Sequence, residues 1–126
     1  MSTVKECMTA SPLTIEHDLS MADAAERMTH NQIRHLPVFQ GGHLVGMVSD
    51  RDLAVVSGFD SIDPKKTSVA MAMNQHPFTV APGDNLKGVV STMAERKIGT
   101  AVVMEDGNIV GVFTTVDALK KLAELL

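Results

Sequence analysis

A chain of 126 residues that repeats itself at a fixed offset has little freedom in what it can fold into, and this chain does so. Shifted by 65 positions without a gap, Val4 falls on Val69, Met8 on Met73, Pro12 on Pro77 and Thr14 on Thr79. Met28 then meets Met93, Ile33 meets Ile98, Val38 meets Val103 and Gly42 meets Gly107. Val45 and Gly46 meet Val110 and Gly111, and Asp52 meets Asp117. Such self-similarity marks two copies of one supersecondary unit. A unit of roughly 60 residues cannot readily bury a sheet face alone, so the two copies are expected to complete one fold together.

The periodicity inside each copy predicts its elements. Met21, Ala24, Ala25 and Met28 share one helical face, as do Leu86, Val89, Val90 and Met93. Ser20, three residues ahead of Asp23, suits the cap of the first of these helices. Two short apolar runs follow, residues 36–39 and 44–48 in one copy and 101–104 and 109–113 in the other. The turn between them is rich in Gly, Asn and Asp, which predicts a hairpin. A second helix closes each copy, with Leu119, Leu122, Ala123 and Leu126 as its expected apolar face in the second. A short extended segment, residues 13–15 or 78–80, precedes the first helix. Each copy therefore reads β-α-β-β-α. The expected fold is of mixed α/β (α+β) class, the repeats packed sheet to sheet about a pseudo-twofold axis. Two related clefts should result, of the kind that ligands favour. The first repeat spans residues 1–56, a Gly/Pro/Ser/Asp-containing linker residues 57–68, and the second repeat residues 69–126.

Bulk properties exclude several classes. A net charge of -4, with no run of Lys or Arg, disfavours phosphate-neutralising nucleic-acid binding. Trp and Tyr are absent and only 4 Phe are present, which leaves little surface for stacking bases. The single cysteine, Cys7, permits neither an internal disulfide nor a cysteine metal cage. The first residues lack the apolar core of a secretory signal, and no apolar run approaches the roughly 20 residues of a membrane span. A soluble, cytoplasmic protein is expected.

One motif recurs where strand runs into helix: Gly46-x-x-Ser49-x-x-Asp52 and Gly111-x-x-Thr114-x-x-Asp117. Two readings are open and compatible. Ser or Thr with Asp three residues on is close to a capping box. The same helix start, with its unpaired N–H groups, is also where an anion would sit. Glycine within a strand points to a close backbone approach. Asp50-Arg51-Asp52 reads as two carboxylates around a solvated Arg rather than a metal site. The five histidines lack ligand spacing, and the nine methionines fall mostly on apolar stripes that favour core filling. No activated nucleophile, His/Asp dyad or GxxxxGK[ST] loop is present, so catalysis is not expected.

Paired β-α-β-β-α units with an opening Val-x-x-x-Met, a middle Ile-x-x-Leu-Pro-Val and a closing Gly-x-x-Ser/Thr-x-x-Asp resemble a tandem pair of CBS domains, the Bateman module. The resemblance covers residues 4–123 and implies a stand-alone module without an attached catalytic domain. It implies regulation: such pairs bind adenosine-containing ligands in the clefts between repeats and often form disc-like homodimers. AMP, ADP or ATP are the foremost candidates, with S-adenosylmethionine or NAD as others. By the family pattern, Asp52 and Asp117 hold ribose hydroxyls, Ser49 and Thr114 meet phosphate, and Gly46 and Gly111 let the backbone approach. Met47, Val112 and Ile33 complete the lining. The same pattern pairs Arg34 and His35 with Asp117, and Gly99 and Thr100 with Asp52. Because residues 98–103 carry no basic residue, the Asp117 cleft is expected to be the better nucleotide site. The competing expectation is a structural dimerisation module whose clefts stay empty. The regulated protein partner is not named by the residues.

Overall fold

The stripe of Met21, Ala24 and Met28 forms the buried face of a helix in the computed structural model, which describes residues 2–126. In chain order the elements are α1 (Val4–Cys7), β1 (Thr9–Ala10), β2 (Ile15–Glu16), α2 (Met21–Asn31), β3 (His35–Gln40), β4 (His43–Ser49) and α3 (Asp50–Ser57). A 3-10 turn (Val69–Met71) precedes β5 (Thr79–Val80), α4 (Leu86–Arg96), β6 (Thr100–Glu105), β7 (Asn108–Thr114) and α5 (Thr115–Leu125). The β-α-β-β-α order holds in both copies, and the fold is mixed α and β. Ser20 caps α2 as expected, its hydroxyl accepting from the Asp23 N–H at 3.0 Å. Of the expected stripe only Ala25 is exposed.

Contacts divide the chain into two units whose limits differ from those of the sequence copies. One unit is Leu13–Pro77; the other joins the chain through Pro12 to Phe78–Leu126. The cuts fall at Pro12 and Pro77, the prolines that the 65-residue offset superposes. Each unit therefore contains the opening segment of the other copy. The main chain explains why. The Val4 and Lys5 N–H groups donate to the Asp84 and Pro82 carbonyls at 3.0 and 2.9 Å. β1 then pairs antiparallel with β7, Thr9 opposite Val112 and Ala10 opposite Gly111.

In the Leu13–Pro77 unit the sheet order is β2-β3-β4, with β2 parallel and β4 antiparallel to β3. Ile15, Met21, Ala24, Met28, Leu36, Val38, Val48, Leu53 and Val69 form its core. Residues 57–68, expected as a linker, are fastened to the start of α2. Met21 N–H donates to the Thr67 carbonyl at 2.8 Å and Ala22 N–H to the Pro64 carbonyl at 3.0 Å. Those are N–H groups that a helix cannot satisfy internally. Beyond the 3-10 turn, Asn74 and Met47 exchange both main-chain hydrogen bonds, at 2.8 and 3.0 Å.

In the other unit the order is β1-β7-β6-β5. Val4, Val80, Leu86, Val89, Met93, Ala101, Val103 and Phe113 form the core. Both hairpins carry a register shift at the same place in the repeat, between Val38 and Phe39 and between Val103 and Met104. One expectation fails. The α5 face of Leu119, Leu122, Ala123 and Leu126 does not pack into this core, because Asp117 and Ala118 turn inward instead. Leu119 is 57% exposed and Leu122 48%.

Candidate functional site

Each closing motif sits where a strand ends and a helix begins, and in both copies its polar residues cap that helix. The Asp52 N–H donates to the Ser49 hydroxyl at 3.0 Å, and the Ser49 N–H donates to Asp52 Oδ2 at 3.0 Å. In the second copy the Asp117 N–H donates to Thr114 Oγ1 at 3.3 Å, and the Thr114 N–H to Asp117 Oδ2 at 2.9 Å. These are reciprocal capping boxes with Asp in the third position. The carboxylates are thereby fixed at the positive end of a helix, where the dipole favours their charge.

The glycines of the motif have a cause that the sequence did not reveal. A methyl group on Gly46 would lie 2.6 Å from Met73 Sδ and 2.8 Å from the Asn74 carbonyl oxygen. On Gly111 it would lie 2.6 Å from Met8 Sδ and 2.9 Å from the Thr9 carbonyl oxygen. The close approach foreseen for a ligand is made, in both units, by the opening segment of the other repeat.

The middle segments lie beside these helix starts. In the Leu13–Pro77 unit, His35 stands opposite Ser49 across the β3–β4 ladder. The Arg34 carbonyl accepts from the Asp50 N–H at 2.9 Å. In the other unit Thr100 stands opposite Thr114, and the Gly99 carbonyl accepts from the Thr115 N–H at 3.0 Å. Arg34, His35, Ile33, Gly46, Met47, Ser49 and Asp52 thus belong to one unit; Gly99, Thr100, Gly111, Val112, Thr114 and Asp117 belong to the other. The Thr100 hydroxyl is buried and has no hydrogen-bond partner among the described residues. Two open grooves, of about 570 and 370 Å³, run along the helices of each unit. They include Ile33 and Arg34 in one and Gly99 in the other, but none of the capping pairs.

Burial pushes the His35 imidazole below its ordinary value of 6.5; Asp50 and Asp52 oppose that shift and Arg34 adds to it. The unfolded chain then binds a proton more readily than the fold does, so stability rises with pH across this interval. This contribution is complete above the unfolded value and is lost as pH falls from about 6.5 through the folded value. Urea midpoints measured from pH 7.5 to 5.5 should fall more steeply for the native protein than for His35→Gln. Parallel curves would exclude the effect.

Sequence reasoning missed Thr9. Its hydroxyl donates to Asp117 Oδ1 at 3.2 Å, across 108 positions of chain. Nothing local to either residue signals the contact.

A family model described as CBS domain matches residues 4–57 and again residues 68–124. The CBS domain-containing protein YhcV of Bacillus subtilis is 29% identical over 112 residues, covering 89% of this chain and 79% of that protein. A homoserine O-acetyltransferase of Methanocorpusculum labreanum is 33% identical over 115 residues, 90% of this chain but only 23% of the enzyme. The chain spans less than a quarter of that relative's length. The CBS domain pair of protein MJ0100, solved in complex with 5′-methylthioadenosine and S-adenosyl-L-methionine, matches with a TM-score of 0.87. That match is 22% identical and covers 100% of this chain and 99% of the other, a likeness of fold. Among the described residues no helix is long and apolar enough to cross a membrane, and no cluster of metal-ligating side chains is present.

Proposed function

This chain belongs to the CBS domain family, and from that membership we propose that it is a regulatory module that binds an adenosine-containing ligand and signals through conformation or partner association. The observation that carries this reading is the carboxylate at the start of α3. Asp52 Oδ2 is engaged by the Ser49 N–H, while Oδ1 meets no donor among the described residues. An ionised carboxylate so placed accepts hydrogen bonds from a vicinal diol. The ribose hydroxyls fall to Asp52 and Asp117, and a phosphate to the helix starts at Ser49 and Thr114, where the helix dipole favours an anion. Arg34 and His35 are the cationic and hydrogen-bonding groups that a phosphate would meet. Gly46, Met47, Gly111, Val112, Ile33, Gly99 and Thr100 supply backbone and apolar lining. AMP, ADP or ATP is the first choice of ligand; S-adenosylmethionine and NAD share the same nucleoside. The ligands of the MJ0100 pair, both adenosine compounds, support that class.

A thermal-shift screen with AMP, ADP, ATP, S-adenosylmethionine and NAD tests the reading. A compound that binds only the folded state raises the melting temperature, by an increment that grows with concentration. A ligand present at about 100 times its dissociation constant stabilises by about 2.7 kcal/mol. Asp52→Ala or Asp117→Ala should reduce the shift, according to which carboxylate holds the ligand. No shift with any of the five compounds at millimolar concentration refutes the sensor reading and leaves a structural dimerisation module.

Homodimerisation is the accompanying proposal. Val116, Leu119 and Leu122 form a continuous exposed stripe on α5, at a spacing that places them on one helical face. Apolar stripes of this kind mark protein contacts, and a second copy of the chain is the occupant proposed.

A further inference from the structure

Asp52 and Asp117 occupy matching positions in the repeat, but their carboxylates are not equally free. Asp52 accepts from one protein donor, the Ser49 N–H on Oδ2. Asp117 accepts from three: the Thr114 N–H and hydroxyl on Oδ2, at 2.9 and 3.2 Å, and the Thr9 hydroxyl on Oδ1 at 3.2 Å. Asp117 is also only 8% exposed, whereas Asp52 is half-buried. The residue 65 positions after Thr9 is Asn74, whose side-chain oxygen accepts from the His76 N–H at 3.0 Å. Asn74 places no donor on Asp52 among the described residues. The inequality at Oδ1 is therefore written at one pair of positions, Thr9 and Asn74.

We propose that Thr9 is an internal competitor for the ligand's hydroxyl pair, which latches the Asp117 half-site shut and leaves Asp52 as the receptive one. The proposal rests on the reading that these carboxylates take the ribose diol. Once the capping box holds Oδ2, Oδ1 is the oxygen with most capacity left for a diol. On Asp52 that oxygen is open. On Asp117 it already receives a hydroxyl donor of the same chemical kind as the ligand's, and a hydrogen bond to a charged acceptor is a strong one to displace. Thr9 is held in place by the β1–β7 pairing, Thr9 opposite Val112, so the competitor is preorganised while the ligand must be immobilised. This reverses the ranking that the basic residues alone suggest, in which Asp117 would be the better site.

Calorimetric titration with AMP separates the half-sites. Asp52→Asn keeps an oxygen acceptor for the Ser49 N–H while removing the charge, so it reports the Asp117 half-site in a folded protein. In that background AMP should bind weakly, and adding Thr9→Val should tighten it about tenfold, the scale of one hydrogen bond to a charged group. Thr9→Ser, which retains the hydroxyl, should bind as weakly as the Asp52→Asn parent. The gain should vanish with 2′,3′-dideoxyadenosine monophosphate, which lacks the competing hydroxyls. A merely structural Thr9 would lower affinity on substitution, never raise it for one analogue only. Unchanged or weaker AMP binding on Thr9→Val, or an equal gain with the dideoxy analogue, overturns the latch and leaves the nucleotide reading standing. If none of the adenosine compounds binds the native protein, both fall together.

Discussion

Gly111→Val lowers the stability of this protein by about 3 kcal/mol, the upper part of the range for forcing extra atoms into a packed site. At this chain length that is a fall of about 10 °C in melting temperature. The magnitude follows from what the new side chain meets. Met8 Sδ, at 2.6 Å from the added Cβ, is the end of a flexible side chain and can swing away. The Thr9 carbonyl oxygen, at 2.9 Å, cannot. It belongs to the strand that pairs with β7 at this position, Ala10 lying opposite Gly111. Relieving the clash therefore means lifting β1 from the sheet edge. Gly46→Val should behave alike, because the Asn74 carbonyl oxygen lies 2.8 Å away and accepts the Met47 N–H at 3.0 Å. Combining Met8→Ala with Gly111→Val should recover only part of the loss, since the carbonyl remains. Thermal unfolding of the single and double variants decides the matter: a Gly111→Val melting temperature within about 2 °C of the native value contradicts the packing argument.

The second large effect is on assembly. Replacing both Leu119 and Leu122 by Asp should turn a dimer into a monomer while leaving the fold intact. Both side chains are about half exposed on α5, so the single chain does not depend on them for its core. In an interface, each buried carboxylate would carry an unpaired charge, a cost of several kcal/mol apiece. Sedimentation equilibrium across micromolar concentrations reads the outcome, with circular dichroism as the check on folding. A native protein that sediments as a monomer, or a doubly substituted protein that still dimerises, removes α5 as the contact face.

Much of the fold could be read from the residues because it rests on local periodicity. Leu86, Val89 and Met93 of the expected stripe are buried while Val90 is exposed, and the hairpins turn at Gly41-Gly42 and at Asp106-Gly107. The capping reading of Ser49–Asp52 and Thr114–Asp117 was also legible, since the partners lie three residues apart. What could not be read depends on distant chain. Amphipathic spacing on α5 looks the same whether the stripe faces a core or solvent, and here Asp117 and Ala118 take the inward face. Residues 57–68 have the composition of a flexible linker, yet their carbonyls at Pro64 and Thr67 complete the start of α2. Glycine at 46 and 111 announced a close approach without saying to what. Thr9 carried no signal at all: an exposed threonine near the beginning of the chain acquires its role only by meeting Asp117.

The exchange of opening segments also orders events during synthesis. Leu13–Pro77 is contiguous, so every strand and helix of its core has left the ribosome before the second repeat is finished. The other unit is different. Val4 and Thr9 are made before the whole of that unit, yet the Asp84 carbonyl, β7 and Asp117 that receive them come 80 to 108 positions later. Contacts of such separation are slow to close, because the entropy of the intervening chain is lost before they form. The segment ending at Pro12 must therefore stay unengaged while the Leu13–Pro77 unit that follows it is made. The hydroxyl of Thr9 reaches its carboxylate only after that whole unit has been synthesised, which makes the Asp117 half-site later to assemble than the Asp52 one.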